Sequence, residues 1–287
     1  MFTIMTILAV AALLPPLYLM RLIYKKDQVE KEPVKLVAKT FLYGVISTFP
    51  AIILEMILGL LVLIIFPNYS IAYYVADAFI ATALVEEFVK LHAMKLAVWK
   101  NPAFNYTFDG VVYAVAASLG FAALENVEYV FMNGLGTAAI RAITSIPGHC
   151  VFGIFMGMYL GLAKLSESRG DQKRRKVNMC KALIIPALIH GFYDCMLMIG
   201  SVWSMLLFLI FVVGLDYVAI KMLNTLEERD LLIPAPKPPF MSMPGNDPKP
   251  MRTERPGNSQ TPERMQMSGN SMTPEEEKLA ELERKYK

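Results

Sequence analysis

The chain has 287 residues, 55% of them hydrophobic and only 18% charged, where soluble domains run near 25% charged. Of its 53 charged residues, 21 lie in the last 63 positions, nine in 21–39 and nine in 164–181, so long stretches carry almost none. A water-soluble fold spreads charge over its surface; this pattern instead predicts an all-α polytopic membrane helix bundle with a polar C-terminal tail. The net charge of +3, with no basic helix interleaved with aromatics, argues against a nucleic-acid partner. Three cysteines, Cys150, Cys180 and Cys195, without a CxxC supply neither a disulfide framework nor a thiolate zinc site.

Seven apolar stretches are long enough to cross a bilayer at about 20 residues each. They run near Thr3–Tyr24, Leu36–Phe66, Ile71–Trp99, Phe108–Met132, Thr137–Leu165, Ala182–Gly200 and Val202–Leu223. The first has no positive charge before it and a basic cluster after it, the reverse of a secretory signal, and reads as an uncleaved anchor. The second is overlong, and Pro50 predicts a kink or an interfacial piece. Basic residues crowd the first loop (Arg21, Lys25, Lys26, Lys31, Lys35, Lys39) and the fifth (Lys164, Arg169, Lys173–Lys176, Lys181), while 67–72 and 199–202 have none. Positive loops face the cytoplasm, which places the N-terminus outside and the tail inside. The division is a membrane domain, 1–224, and a cytoplasmic tail, 225–287. Ten of the 18 prolines fall between Pro234 and Pro274, a composition that predicts disorder. A capping pattern at Thr273-Pro274-Glu275-Glu276 allows a short terminal helix over Lys278–Lys287.

Ionisable residues inside spans cost roughly 3 kcal/mol each on insertion scales, so a chain that keeps several of them usually uses them. The third span contains Glu86-Glu87-Phe88-Val89-Lys90. Lys90 lies one turn below Glu86 and can pair with it, which leaves Glu87 pointing about 100° away. A buried structural ion pair accounts for Glu86 and Lys90 but not for Glu87. The sixth span holds His190 and Asp194, four apart and on one helical face, and the fifth holds His149 after Pro147 and Gly148, which loosen the helix. At a rise of 1.5 Å per residue in a slab of about 30 Å, Glu86, His149 and His190 lie about 22, 18 and 16 Å from the outer face and can meet. His92 sits near the end of its span and reads as peripheral. Glu55, Asp77, Glu128, Arg141 and Asp216 read as interhelical pairs or interfacial residues. Cys150 points about 100° from His149 and is a poor nucleophile candidate.

Four segments in order resemble the PrsW-type intramembrane proteases, distant relatives of the CAAX-processing and Abi-like membrane proteases. Asp27-Gln28-Val29-Glu30-Lys31-Glu32-Pro33 resembles the family's D-x-x-E-K-E-P loop, and Glu86-Glu87-Phe88-Val89-Lys90 its E-E-x-x-K motif. Phe108-Asp109-Gly110 through Gly120-Phe121-Ala122-Ala123-Leu124-Glu125-Asn126 resembles its F-D-G…G-F-A-x-x-E-N segment; His149 with Gly157, and His190 with Asp194, resemble its last two motifs. The resemblance covers roughly residues 20–200. It implies peptide-bond hydrolysis of membrane-anchored protein substrates in a bacterial-type plasma membrane, as in regulated intramembrane proteolysis of anti-sigma factors.

The implied site is Glu86, Glu87, His149, His190 and Asp194, supported by Lys90, Glu125 and Asn126. Glu86 and Glu87 would activate water, with Glu87 preferred as base because Lys90 holds Glu86 ionised; His149 would co-orient the water; His190, oriented by Asp194, would steady the oxyanion. No cofactor is preferred. Zinc remains an open variant, held by Glu87, His149 and His190. Two other readings keep mid-membrane Glu and His: an ion- or proton-coupled transporter, which would favour internal repeats not visible here, and a non-catalytic membrane protein.

Overall fold

The computed structural model describes residues 2–234, and within them the fold is all-α. The expectations for the tail, including the terminal helix, lie outside the described residues. α1 spans Phe2–Lys26 and α2 Val34–Ile65, the latter one continuous helix through Pro50. α3, Ile71–Ala76, passes through a π-helical stretch, Asp77–Ala83, into α4, Leu84–Val98. α5 is Asp109–Asn133, α6 Leu135–Ile143, α7 Ser145–Ser168, α8 Gln172–Ile199 and α9 Val202–Glu228.

Six of these elements are long and apolar enough to cross a membrane: α1, α2, α5, α6 with α7, α8 and α9. The seventh expected span, 71–99, is helical in three consecutive pieces and is not among these six. The fifth expected span breaks at Thr144 (φ −124°), three residues before Pro147, because a proline fits only the first turn of the helix that follows. The boundaries follow local chemistry. Ser70, Asp171 and Ser201 accept the backbone N–H groups that open α3, α8 and α9. Gly200 closes α8 in the left-handed conformation (φ 62°).

α5 and α7 form the centre, and they touch through glycine. A Cβ on Gly157 would strike the backbone of Gly110 and Val111, and one on Gly161 that of Thr107. Gly153, Gly157 and Gly161 thus make a small-residue stripe at four-residue spacing, the usual route to close approach in a bilayer. α2 packs on the other side of α5 by the same device, Gly44 against Ala117 and Gly120 against Phe41. The outer face of α2 (Phe49, Ile53, Met56, Leu60, Ile64) is exposed and apolar, as lipid contact requires.

The first loop, 99–108, 169–171 and the segment after α9 share one end of the bundle. Lys26 reaches Asn224 (2.6 Å), Asn105 reaches Glu30 (3.1 Å) and Lys164 reaches the Trp99 carbonyl (2.5 Å). The membrane body continues past Thr225, where the tail was expected to begin. α9 runs to Glu228, and Leu231–Ile233 pairs with Asn105–Thr107 through backbone hydrogen bonds.

Candidate active site

Four helices bring one polar cluster together inside the bundle. α4 contributes Glu86, Glu87 and Lys90, α5 Glu125, α7 His149, and α8 His190 with Asp194. Lys90 is fully buried and donates to Glu86 Oε2 (2.7 Å), Glu87 Oε1 (2.9 Å) and His149 Nδ1 (3.1 Å). It also lies 4.4 Å from the Phe121 ring centroid. Lysine therefore binds both carboxylates, one three and one four residues away, rather than Glu86 alone. Glu87 is not left over: its Oε1 also meets His190 Nδ1 at 3.0 Å.

The protons on both imidazoles follow from their partners. An ammonium can only donate, so His149 Nδ1 accepts, and the proton sits on Nε2, which donates to Glu125 Oε2 at 2.9 Å. Both nitrogens of His190 face carboxylates, Glu87 at 3.0 Å and Asp194 at 3.2 Å, and only the doubly protonated ring satisfies both. Phe152 stacks on His190 (4.6 Å, 23° between planes) and fixes its plane. Arg141 backs Glu125 at 3.0 Å and donates through Nε to Asn126 (2.9 Å), which in turn donates to the Ala12 carbonyl (2.7 Å). Asn126 therefore supports the site from behind, and Arg141 is an interhelical partner as expected.

A cavity of about 960 Å³ opens beside the cluster. Glu86, Glu125, His149, His190 and Asp194 line it; Glu87 and Lys90 do not. Its wall extends to Asn133, Met198 and Met205, at the end of the bundle where α5 and α8 finish and α9 begins. Glu55 also lines it, with a buried Oε1 that has no hydrogen-bond partner. The sequence reads Glu55 as an interhelical or interfacial residue, and no spacing rule points it at the cavity. His92 is exposed and bonds the Phe88 carbonyl, and Cys150 lines a different cavity, between α1, α7 and α9, so neither joins the cluster.

A profile described as "PrsW family intramembrane metalloprotease" matches residues 32–218. The chain is 34% identical over 194 residues to Protease PrsW of Geobacillus kaustophilus, covering 68% of this chain and 81% of that protein. It is 32% identical over 230 residues to Protease PrsW of Halalkalibacterium halodurans, covering 80% and 100%. With Protease PrsW of Bacillus subtilis it shares 32% over 203 residues, covering 70% and 88%. No solved structure matches.

That description implies a metal, and the donors here fit one. Glu86, Glu87 and His149 each offer a ligand atom, all within 4.8 Å of one another, and Glu87 Oε2 is buried without a hydrogen-bond partner. This grouping has Glu86 where the sequence reading placed His190. The apolar spans, the order of the motifs, the cluster they build and the match over most of the chain converge: this integral membrane protein belongs to the PrsW family of intramembrane proteases.

Proposed function

We propose that the chain hydrolyses peptide bonds of membrane-anchored proteins in the 960 Å³ cavity, with Glu86 as the base that activates water. The observation that carries this is the division of labour within the glutamate pair. Glu86 faces the cavity, while Glu87 is sealed behind it, so Glu86 is the carboxylate a water and a scissile carbonyl can reach. This departs from the sequence expectation that Glu87 is the base, because that expectation rested on Lys90 pairing with Glu86 alone.

Glu86 takes the proton of the attacking water and returns it to the leaving amine. Lys90 holds the two carboxylates together and fixes the His149 ring, whose Nε2–H is held by Glu125. His190, charged between Glu87 and Asp194, stabilises the oxyanion as it forms. These roles draw on the chain's own side chains, with the Lys90 ammonium bonded to Glu86, Glu87 and His149. A second reading is favoured by the ligand spacing and the open Glu87 Oε2: zinc held by Glu86, Glu87 and His149, which would lower the pKa of a bound water to about 7. By family resemblance the substrates are membrane-bound regulators of the anti-sigma type. The basic end of the bundle faces the cytoplasm, so the cavity mouth faces outward.

The test uses purified full-length chain and a membrane-anchored fluorogenic peptide. Glu86→Gln, which keeps volume and removes the basic oxygen's charge, should lower kcat by about 10³-fold with an unchanged melting temperature. Near-normal hydrolysis by Glu86→Gln sinks the base assignment. Full activity after exhaustive chelation supports the metal-free reading; stoichiometric zinc in active protein, lost in His149→Ala, replaces it with the second.

A further inference from the structure

A second buried acid cluster lies at the basic end of the bundle, away from the proteolytic cavity. Asp27 and Glu32 come from the connection between α1 and α2, and Asp109 is the first residue of α5. All three are buried, at 1, 2 and 1% exposure, and each places a carboxylate oxygen within 4.8 Å of the others. Asp109 and Glu125 are sixteen residues apart on one helix, about 24 Å, so the two clusters are separate sites.

The unusual feature is how few partners these oxygens have. Neither oxygen of Asp27 has a hydrogen-bond partner, and nor does Asp109 Oδ1. Asp109 Oδ2 accepts the backbone N–H groups of Asn105 (2.9 Å) and Tyr106 (2.6 Å), and Glu32 accepts the Tyr113 hydroxyl. The adjacent ammonium, Lys31, is spent on the backbone carbonyls of Tyr24 (3.0 Å), Lys25 (3.1 Å) and Asp27. Buried charge is held with a counter-ion or a proton; Lys31 is the nearby cation, but it offsets Asp27 only in part, bonding backbone carbonyls and no carboxylate. The ligand set is oxygen only, with no imidazole or thiolate, which suits a hard cation and not zinc.

We propose that Asp27, Glu32 and Asp109 bind a divalent cation, Mg²⁺ or Ca²⁺, which ties the α1–α2 connection to the start of α5. This gives a role to the D-x-x-E-K-E-P loop and the F-D-G segment, which contribute nothing to the proteolytic cluster. The competing arrangement is a proton shared within the cluster.

The test is thermal melting of chelator-stripped, full-length protein at neutral pH. Mg²⁺ and Ca²⁺ are titrated separately to about 1 mM, the weak end of protein calcium affinities. One or both should raise Tm by about 5 °C. Asp27→Asn should remove that shift and raise the cation-free Tm, while Glu86→Gln/Glu87→Gln should keep the shift. A wild-type Tm that neither cation moves overturns the proposal in favour of the shared proton. A shift retained in Asp27→Asn, or lost in the double glutamine variant, overturns it in favour of binding elsewhere. A second readout needs no substitution: Tb³⁺, a luminescent stand-in for Ca²⁺, should be sensitised by tyrosine excitation because Tyr113 touches Glu32, and Ca²⁺ should quench the emission by displacement. No sensitised emission also counts against the site.

Discussion

The central helices and the outer helices invert the order familiar from soluble proteins. In α2 and α9 the most apolar 18-residue window is 17 and 22% buried; in α5 and in α6–α7 it is 83 and 89% buried, although the outer pair is the more apolar. Lipid is as good a solvent for leucine as a protein core is, so hydrophobicity does not pull a helix inward. Two other forces do. Glycine stripes let α2, α5 and α7 approach to backbone contact, and polar side chains must find one another because lipid offers them nothing. The inner helices are thus chosen by what is small and what is charged, and the reaction site forms where the charges meet.

The largest break in that comparison should come from the glycine stripe. Gly157→Leu forces a side chain into the backbone of Gly110 and Val111, beyond the 1–3 kcal/mol of ordinary overpacking, and should prevent folding of the bundle. Leu60→Ala on the outer face of α2 deletes a large apolar side chain yet should move Tm by no more than about 2 °C, since lipid fills the space. Expression as a monodisperse species in detergent, followed by melting, reads both. Equal tolerance of the two changes would mean that glycine contact does not hold the inner helices.

The charges sharpen the comparison. Lys90→Met removes the ammonium that bonds both Glu86 and Glu87 and leaves His190 as their remaining cation, which should cost about 3–5 kcal/mol. Adding Glu86→Gln and Glu87→Gln to Lys90→Met should recover most of that loss in denaturant unfolding, because the carboxylates that Lys90 offset are then neutral as well. A triple variant as unstable as the single one would show that packing around the lysine stem, not charge, is what matters. Glu125→Gln tests the next layer. It still accepts from His149 Nε2 but no longer carries the charge that Arg141 backs, and losses behind a reacting group run to 10–100-fold in activity. Its kcat should fall by about that factor with little change in KM.

Much of this was legible in the sequence, and the failures have physical causes. Apolar run length fixed the spans, because a bilayer sets a minimum length. Charge in an apolar helix marked Glu86, Glu87, Lys90, His149 and His190, because burial of a charge is rarely accidental. What pattern could not decide was rotation. Helical spacing put Lys90 under Glu86, yet its four-carbon stem reaches Glu87 as well, and the carboxylate left facing the cavity is Glu86. Glu55 sits alone in its helix, with no periodic partner to give it meaning until α2 packs beside α4. Residues 230–233 read as tail because they adjoin the proline-rich stretch; Leu231 and Ile233 instead make backbone bonds to 105–107, which no composition reveals.

That docked segment gives the smallest effect, and it lies outside the spans, where water and pH reach. Asp230 accepts from the Phe108 N–H (2.8 Å) and the Thr107 hydroxyl (3.0 Å). Burial nevertheless outweighs these bonds and pushes its carboxyl up to about 6, against an ordinary value of 3.8. The folded state therefore holds the proton more tightly than the unfolded chain. Its contribution to stability is full below about pH 4 and is lost as pH rises through about 6, the opposite of an acid held down by an ion pair. Other carboxylates titrate over the same range, so the informative quantity is a difference. The change in Tm between about pH 5 and pH 7 should be more negative in wild type than in Asp230→Asn, by about 2 °C, since the amide cannot titrate. A chain truncated after Arg229, which lacks Asp230 and its bonds to Phe108 and Thr107, should follow the Asp230→Asn profile. Parallel profiles for wild type and Asp230→Asn would mean that Asp230 keeps its charge through this range and that the docked segment is wetter than its burial implies.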